Sequence, residues 1–229
     1  MADKKITVFR GSAPSNSYVW SPFVTKLEAR LRFANIPYAL GAGTPRTAPR
    51  GKIPYVEHEG QLIGDSTLII KHLLAHGVIP TGDADGLTPG DRARDLAVRA
   101  LLEDKLYFYG TREKWCDNYQ TMIAGVLAAV PWFVRPLVGM LVYSKVSRTL
   151  DGQGTGLLSE EEVAMFKEEA WEALNALLSE AKATSLRNRQ DRRDEREDEQ
   201  PFWVLGGETP TEGDATLYGF VVGALICDA

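Results

Sequence analysis

At 229 residues with 44% hydrophobic side chains, the chain can hold one large domain or two modest ones with real cores, which excludes global disorder. A formal net charge of -5 leaves no surplus of Lys and Arg to neutralise phosphates, so nucleic acid is set aside in favour of a small molecule or a protein partner. The cysteines, Cys116 and Cys227, have neither metal spacing nor a secreted disulfide pattern, and the charged start carries no signal or transit segment; a reducing, cytoplasmic setting is expected.

In chain order, residues 5–9 (KITVF) form a short β-branched strand, and residues 11–21 (GSAPSNSYVWS) a polar loop. Ser21-Pro22 opens a helix, Ser at the N-cap and Pro at the first helical position, with Phe23, Leu27, Leu31 and Ala34 on one face and an end near Asn35. Residues 37–40 read as a second strand, and residues 41–51, rich in Gly, Pro, Thr and Arg, as a loop. Residues 55–57 and 61–63 are two strands around a turn at Glu59-Gly60, after which Asp65-Ser66 starts a helix carrying Leu68, Ile69, His72 and Leu73. The order is βαβ followed by ββα.

Residues 79–90 (IPTGDADGLTPG) are the linker candidate. Beyond them, residues 91–118 and 159–183 have helical periodicity and no segment reads as a strand. The expected division is therefore residues 1–78, a linker at 79–90, and an all-helical domain at 91–229. Residues 122–143 (MIAGVLAAVPWFVRPLVGMLVY) are long enough to span a bilayer. Arg135 and the pair Pro131 and Pro136 would bury a charge and free carbonyls in lipid, which favours a buried helix pair over a membrane span. Residues 187–199 (RNRQDRRDEREDE) have almost no apolar content and read as a solvated helix extension or a mobile loop, within a charged segment at 184–200. Thr211 and Asp214 frame a capping box before the apolar run at 215–226.

Each residue able to do chemistry also has a plain structural role. Ser21 sits where helix N–H groups and the dipole stabilise an anion or a thiolate, but Ser before Pro is most often only a cap. Ile53-Pro54 is a trans proline at a strand start, or a cis bond that exposes the Ile53 backbone for pairing with a peptide-like ligand. Asp65-Ser66 is a helix cap or the receptor of a ligand carboxylate. His58, His72 and His76 lack a metal-like cluster and read as surface or helix-end residues, so no metal is expected. Tyr107, Tyr109, Trp115, Trp132 and Phe133 read as core before ligand wall, although a pocket for an apolar substrate needs such residues.

Taken jointly, SPFVTKLEARLRFANIPY, GKIPYVEHEGQLIGDSTLIIKHL and TPTEGDATLYGF resemble the glutathione transferase superfamily over nearly the whole chain. With LEDKLYFYGTREKWCDN and GQGTGLLSEEEV, they look like its failed-axon-connections and metaxin-like branch, related to fungal members in natural-product pathways. The resemblance implies a thioredoxin-like N-terminal domain, α/β, followed by an all-α domain. It implies glutathione as co-substrate, an electrophilic small molecule such as a fungal secondary metabolite as partner, and a homodimer. Ser21 would assist the thiol, Ile53 and Pro54 would present backbone to the cysteinyl residue, Asp65 and Ser66 would hold the γ-glutamyl end, and Lys52 or Arg50 would reach the glycine carboxylate. Tyr107 and Trp115 would line the substrate pocket. Attack by the thiol gives conjugation if the adduct is kept, or cis-trans olefin isomerisation if it is eliminated.

The chain departs from the family pattern in three ways. Asp65 stands for a longer Glu or Gln, Ser17 and Tyr18 compete with Ser21 for the thiol, and family members continue past DATLYGF, which reads as a truncated or shortened product. The alternative to an enzyme is a metaxin-like interaction protein docking at the mitochondrial outer membrane. A glutaredoxin-like oxidoreductase is set aside because position 21 is not cysteine.

Overall fold

The computed structural model describes residues 6–11, 17–80, 87–128, 130–192 and 201–226, the side chains of 189–192 excepted. Two compact units are present, one formed by the chain through Arg99 together with Leu177 onward, the other by Ala100–Ala176.

The first unit is built on a four-stranded sheet of β1 (Ile6–Phe9), β2 (Tyr38–Gly41), β3 (Tyr55–His58) and β4 (Gln61–Gly64) in the order β2-β1-β3-β4. β1 pairs parallel with β2, Ile6 opposite Tyr38, and antiparallel with β3, Val8 opposite Val56. β3 and β4 form a hairpin whose turn residues Glu59 and Gly60 both take positive φ, 52° and 79°, as a type I′ connection requires. The parallel β1–β2 pair needs a crossover, supplied by α1 (Pro22–Phe33), and the hairpin runs into α2 (Ser66–Ala75). This is the thioredoxin-like arrangement. Ile6, Val8, Leu27, Leu31, Val56, Ile69, Ile70, Leu73 and Ile79 form its core.

Two further helices belong to this unit, α3 (Pro89–Ala100) and α8 (Glu212–Ile226). The capping box before α8 forms as expected: Thr211 N donates to Asp214 Oδ2 at 2.8 Å and Asp214 N to Thr211 Oγ1 at 3.4 Å. α8 then packs along α1. A Cβ on Gly219 would stand 2.4 Å from the Pro22 carbonyl oxygen and 2.8 Å from the Lys26 nitrogen, so only glycine admits this approach. Covered also by the sheet and α2, α1 buries every residue from Val24 to Leu31, Lys26, Glu28 and Arg30 included.

The second unit is helical, and no strand follows β4 among the described residues. Two π-helical stretches, Leu101–Leu106 and Glu113–Asp117, flank α4 (Tyr107–Arg112); α5 (Tyr119–Val126), α6 (Arg135–Gln153) and α7 (Glu160–Arg192) follow, α7 running on past Leu177. The first part of the charged 184–200 segment is thus helical, and residues 193–200 lie outside the described residues.

The apolar stretch at 122–143 is broken in two, with Pro136 in the first turn of α6 and the Arg135 guanidinium donating to the carbonyls of Val130 at 2.7 Å and Ala128 at 2.8 Å. No described helix is long and apolar enough to cross a membrane. The expected burial of this pair does not hold: Trp132 is 79% and Phe133 69% exposed, in the connection between α5 and α6. These two aromatics are not core.

Candidate active site

One end of the sheet gathers the residues singled out in the sequence. The register Phe9–Tyr55–Gly64 places the last residue of β1, the first of β3 and the last of β4 in one row. The loop to Ser21, the Ile53-Pro54 bond and the Asp65-Ser66 turn therefore all leave from that end.

Ser21 occupies the N-cap of α1 with φ -79° and ψ 112°, and its carbonyl accepts from Val24 N at 3.1 Å. Its hydroxyl makes no capping hydrogen bond. A serine with the position of a cap but not its bond leaves Oγ available at the positive end of the helix dipole. The neighbouring hydroxyl of Tyr18 is engaged elsewhere, hydrogen-bonded to that of Tyr218 on α8. Ser17 is exposed, and its carbonyl takes the Arg10 guanidinium at 2.7 Å.

The Ile53-Pro54 peptide is cis. Pro54 is buried, the β3 ladder begins only at Tyr55, and the Ile53 side chain rests on Gly11, where an added Cβ would lie 2.4 Å from Cδ1. Lys52 and Arg50 are exposed beside it.

Asp65 fulfils the cap role, its Oδ1 accepting from Thr67 N and Leu68 N, each at 3.1 Å. To do so it adopts φ 81°, a left-handed conformation that Asp tolerates better than most residues. Ser66 is 4% exposed. Beneath this turn lies a residue that sequence reasoning missed: Lys26, fully buried, donates from Nζ to Thr67 Oγ1 at 2.9 Å and so ties α1 to the first turn of α2. A lysine one place before the inward-facing Leu27 carries no signal in the sequence, where periodicity gives α1 a single buried face.

Tyr107 and Trp115 lie in the second unit, both half-buried, Tyr107 opening α4 and Trp115 in the second π-helical stretch. Burial pushes the Tyr107 phenol up. The Cys116 thiol is likewise raised, by desolvation and then by Asp117, the opposite of what a reactive thiol needs.

His72 and His76 lie at the end of α2, as the surface or helix-end reading expects, but His58 does not. His58, 1% exposed on β3, lies 3.0 Å from His72 Nε2 through Nδ1, and His72 stacks on His76. Position 58 faces inward because β3 alternates against α2, which supplies the other two. Among the described residues no group of His, Cys, Asp and Glu has metal-binding geometry.

Residues 22–122 match the model of the glutathione S-transferase N-terminal domain. Over 207 residues the chain is 31% identical to the isoprene-epoxide–glutathione S-transferase of Rhodococcus sp. (strain AD45), covering 86% of this chain and 77% of that one. The chain belongs to the glutathione S-transferase superfamily. Metaxin-2 of Mus musculus is a more distant relative of this transferase-like chain, 24% identical over 201 residues that make up 84% of it and 66% of the metaxin. Among solved structures, a glutathione S-transferase from Pseudomonas fluorescens aligns with 96% of this chain and 84% of that one, at 18% identity and a TM-score of 0.37.

Proposed function

We propose that this chain binds glutathione at the Phe9–Tyr55–Gly64 end of its sheet and activates the thiol for attack on an electrophilic small molecule. The observation that carries this reading is the Ser21 hydroxyl, at the head of α1 and free of any capping bond. In it, Ser21 donates to the sulfur, and the first-turn N–H groups of α1 add positive potential. The Ile53 backbone pairs with the cysteinyl residue, Ser66 and the N-terminus of α2 receive the γ-glutamyl carboxylate, and Lys52 reaches the glycine carboxylate. Asp65, one oxygen spent on its own helix, turns the other to the ligand amine. Tyr18, bonded to Tyr218, takes no part.

A thiol with an ordinary pKa of about 8.5 is only a few per cent ionised at neutral pH, so lowering it by one or two units raises the nucleophile roughly ten-fold or more. The thiolate then forms a carbon–sulfur bond. With an epoxide, the class named for the Rhodococcus relative, the ring carbon–oxygen bond breaks and the alkoxide takes a proton from solvent. With a conjugated olefin, the π bond breaks as sulfur adds; the resulting enolate takes a proton from solvent to give the adduct, or rotates about the new single bond and expels the thiolate to give the cis-trans isomer, and a fungal secondary metabolite with such an olefin fits this chemistry.

Retention on immobilised glutathione, a rise in thermal midpoint with millimolar glutathione, and conjugation of a small epoxide or enone are expected. Ser21→Ala keeps the retention and loses about ten-fold or more in kcat near pH 7. Absence of both retention and thermal shift would instead favour the interaction-protein reading that the metaxin likeness supports.

A further inference from the structure

Away from that end of the sheet, the same unit contains a cavity of about 170 Å³ between the last turns of α1 and α2, the length of α3 and the start of α8. Arg30, Arg92 and Arg99 line it against Asp95 and Glu212, with Leu74, Leu87 and Pro210 as apolar wall. Both carboxylates and two of the three guanidinium groups already have partners. Arg99 pairs with Asp95 at 2.8 Å and with Glu212 at 3.2 Å, the other Asp95 oxygen accepts from Gly213 N at 2.7 Å, and Arg92 donates to the Leu87 carbonyl at 2.8 Å. Arg30 is the exception. It is 3% exposed, yet among the described residues its Nε and Nη1 find no hydrogen-bond partner and no carboxylate forms an ion pair with it.

A guanidinium with two buried nitrogens left unpartnered is a costly arrangement for a fold to keep, and guanidinium matches oxyanions above all. We propose that this cavity is a binding site for a small organic carboxylate, held by Arg30 and enclosed by Leu74, Leu87 and Pro210. Among the described lining residues three guanidinium groups face two carboxylates, an excess of one positive charge that favours a monoanion. The apolar wall favours a short hydrocarbon body over a fully hydrated ion. A volume below the roughly 300 Å³ of pockets for drug-sized ligands limits that body to a few carbons. The site is separate from the proposed glutathione site, since Arg30 lies about 13 Å along α1 from Ser21 at 1.5 Å per residue.

The test is calorimetric titration and thermal denaturation of the full chain with sodium butyrate, against sodium chloride and sodium phosphate at equal ionic strength. Butyrate should bind one to one and raise the midpoint above the chloride control. Arg30→Met should weaken butyrate by roughly thirty-fold or more and leave the ligand-free protein no less stable, because it removes an uncompensated buried charge. Leu87→Trp, which fills the cavity and retains Arg30, should also abolish the butyrate response. Equal effects of butyrate and chloride on the wild type, stronger binding of phosphate than of butyrate, or an undiminished response in either variant would overturn the proposal.

Discussion

At Ser21 a single side chain separates two roles that share one position. Had its hydroxyl accepted the N–H of the second or third helical residue, it would be a cap and nothing more; instead Pro22 fills the first position and Oγ makes no such bond. Asp65 is the contrast, with its Oδ1 given to Thr67 and Leu68. Two adjacent helix heads thus use their polar residues differently, one to hold its helix and the other leaving its hydroxyl without a capping bond, which the proposed function assigns to the thiol. The histidine cluster yields a residue-scale prediction of its own. Burial, then the neighbouring His76 and His58, push the His72 pKa below the ordinary 6.5, with Glu59 opposing. The folded state therefore binds this proton less tightly than the unfolded chain. His72 contributes stability that is present above pH 6.5 and lost as pH falls through the depressed value. The thermal midpoint should drop between pH 7 and pH 5, and His72→Gln should show a shallower drop; parallel curves would remove His72 from the cause.

Among the elements, α8 has the most consequence for the site, because it fixes the first turn of α1. At Gly219 a methyl group meets main-chain atoms that cannot step aside, whereas at Gly223 its nearest neighbour is Pro22 Cβ at 3.6 Å, an ordinary contact. Gly219→Ala should cost about 1–3 kcal/mol in urea unfolding and displace the turn that carries Ser21. Gly223→Ala should be neutral or gain up to about 1 kcal/mol from helix propensity. Equal effects of the two would mean that the close α1–α8 approach is not limiting. These elements also mark how far the sequence could be read. The Ser21-Pro22 start, the Glu59-Gly60 hairpin and the Thr211–Asp214 box depend on local chemistry and are legible, whereas at Pro54 local chemistry leaves trans and cis both open. Burial of Lys26, Glu28 and Arg30 is not legible, because periodicity gives α1 one inner face and could not show α8 arriving on another. Nor could it bring His58 to His72, a contact made by strand register, or show Trp132 and Phe133 outside, since hydropathy carries no information on which apolar groups find a partner.

For the molecule as a whole, the chemistry proposed for the sheet end draws on three separate segments brought to one row by the Phe9–Tyr55–Gly64 register. Lys26, buried between α1 and α2, ties the heads of these two helices together. Family membership makes glutathione the natural occupant; activation of its thiol is the claim that gives Ser21 a purpose. It is tested most directly by ultraviolet titration of the thiolate of glutathione bound to the intact protein, wild type against Ser21→Ala. The bound thiol should ionise with a pKa of about 6.5–7.5 in the wild type and return toward about 8.5 in the variant. The same pKa in both proteins would contradict the role assigned to Ser21.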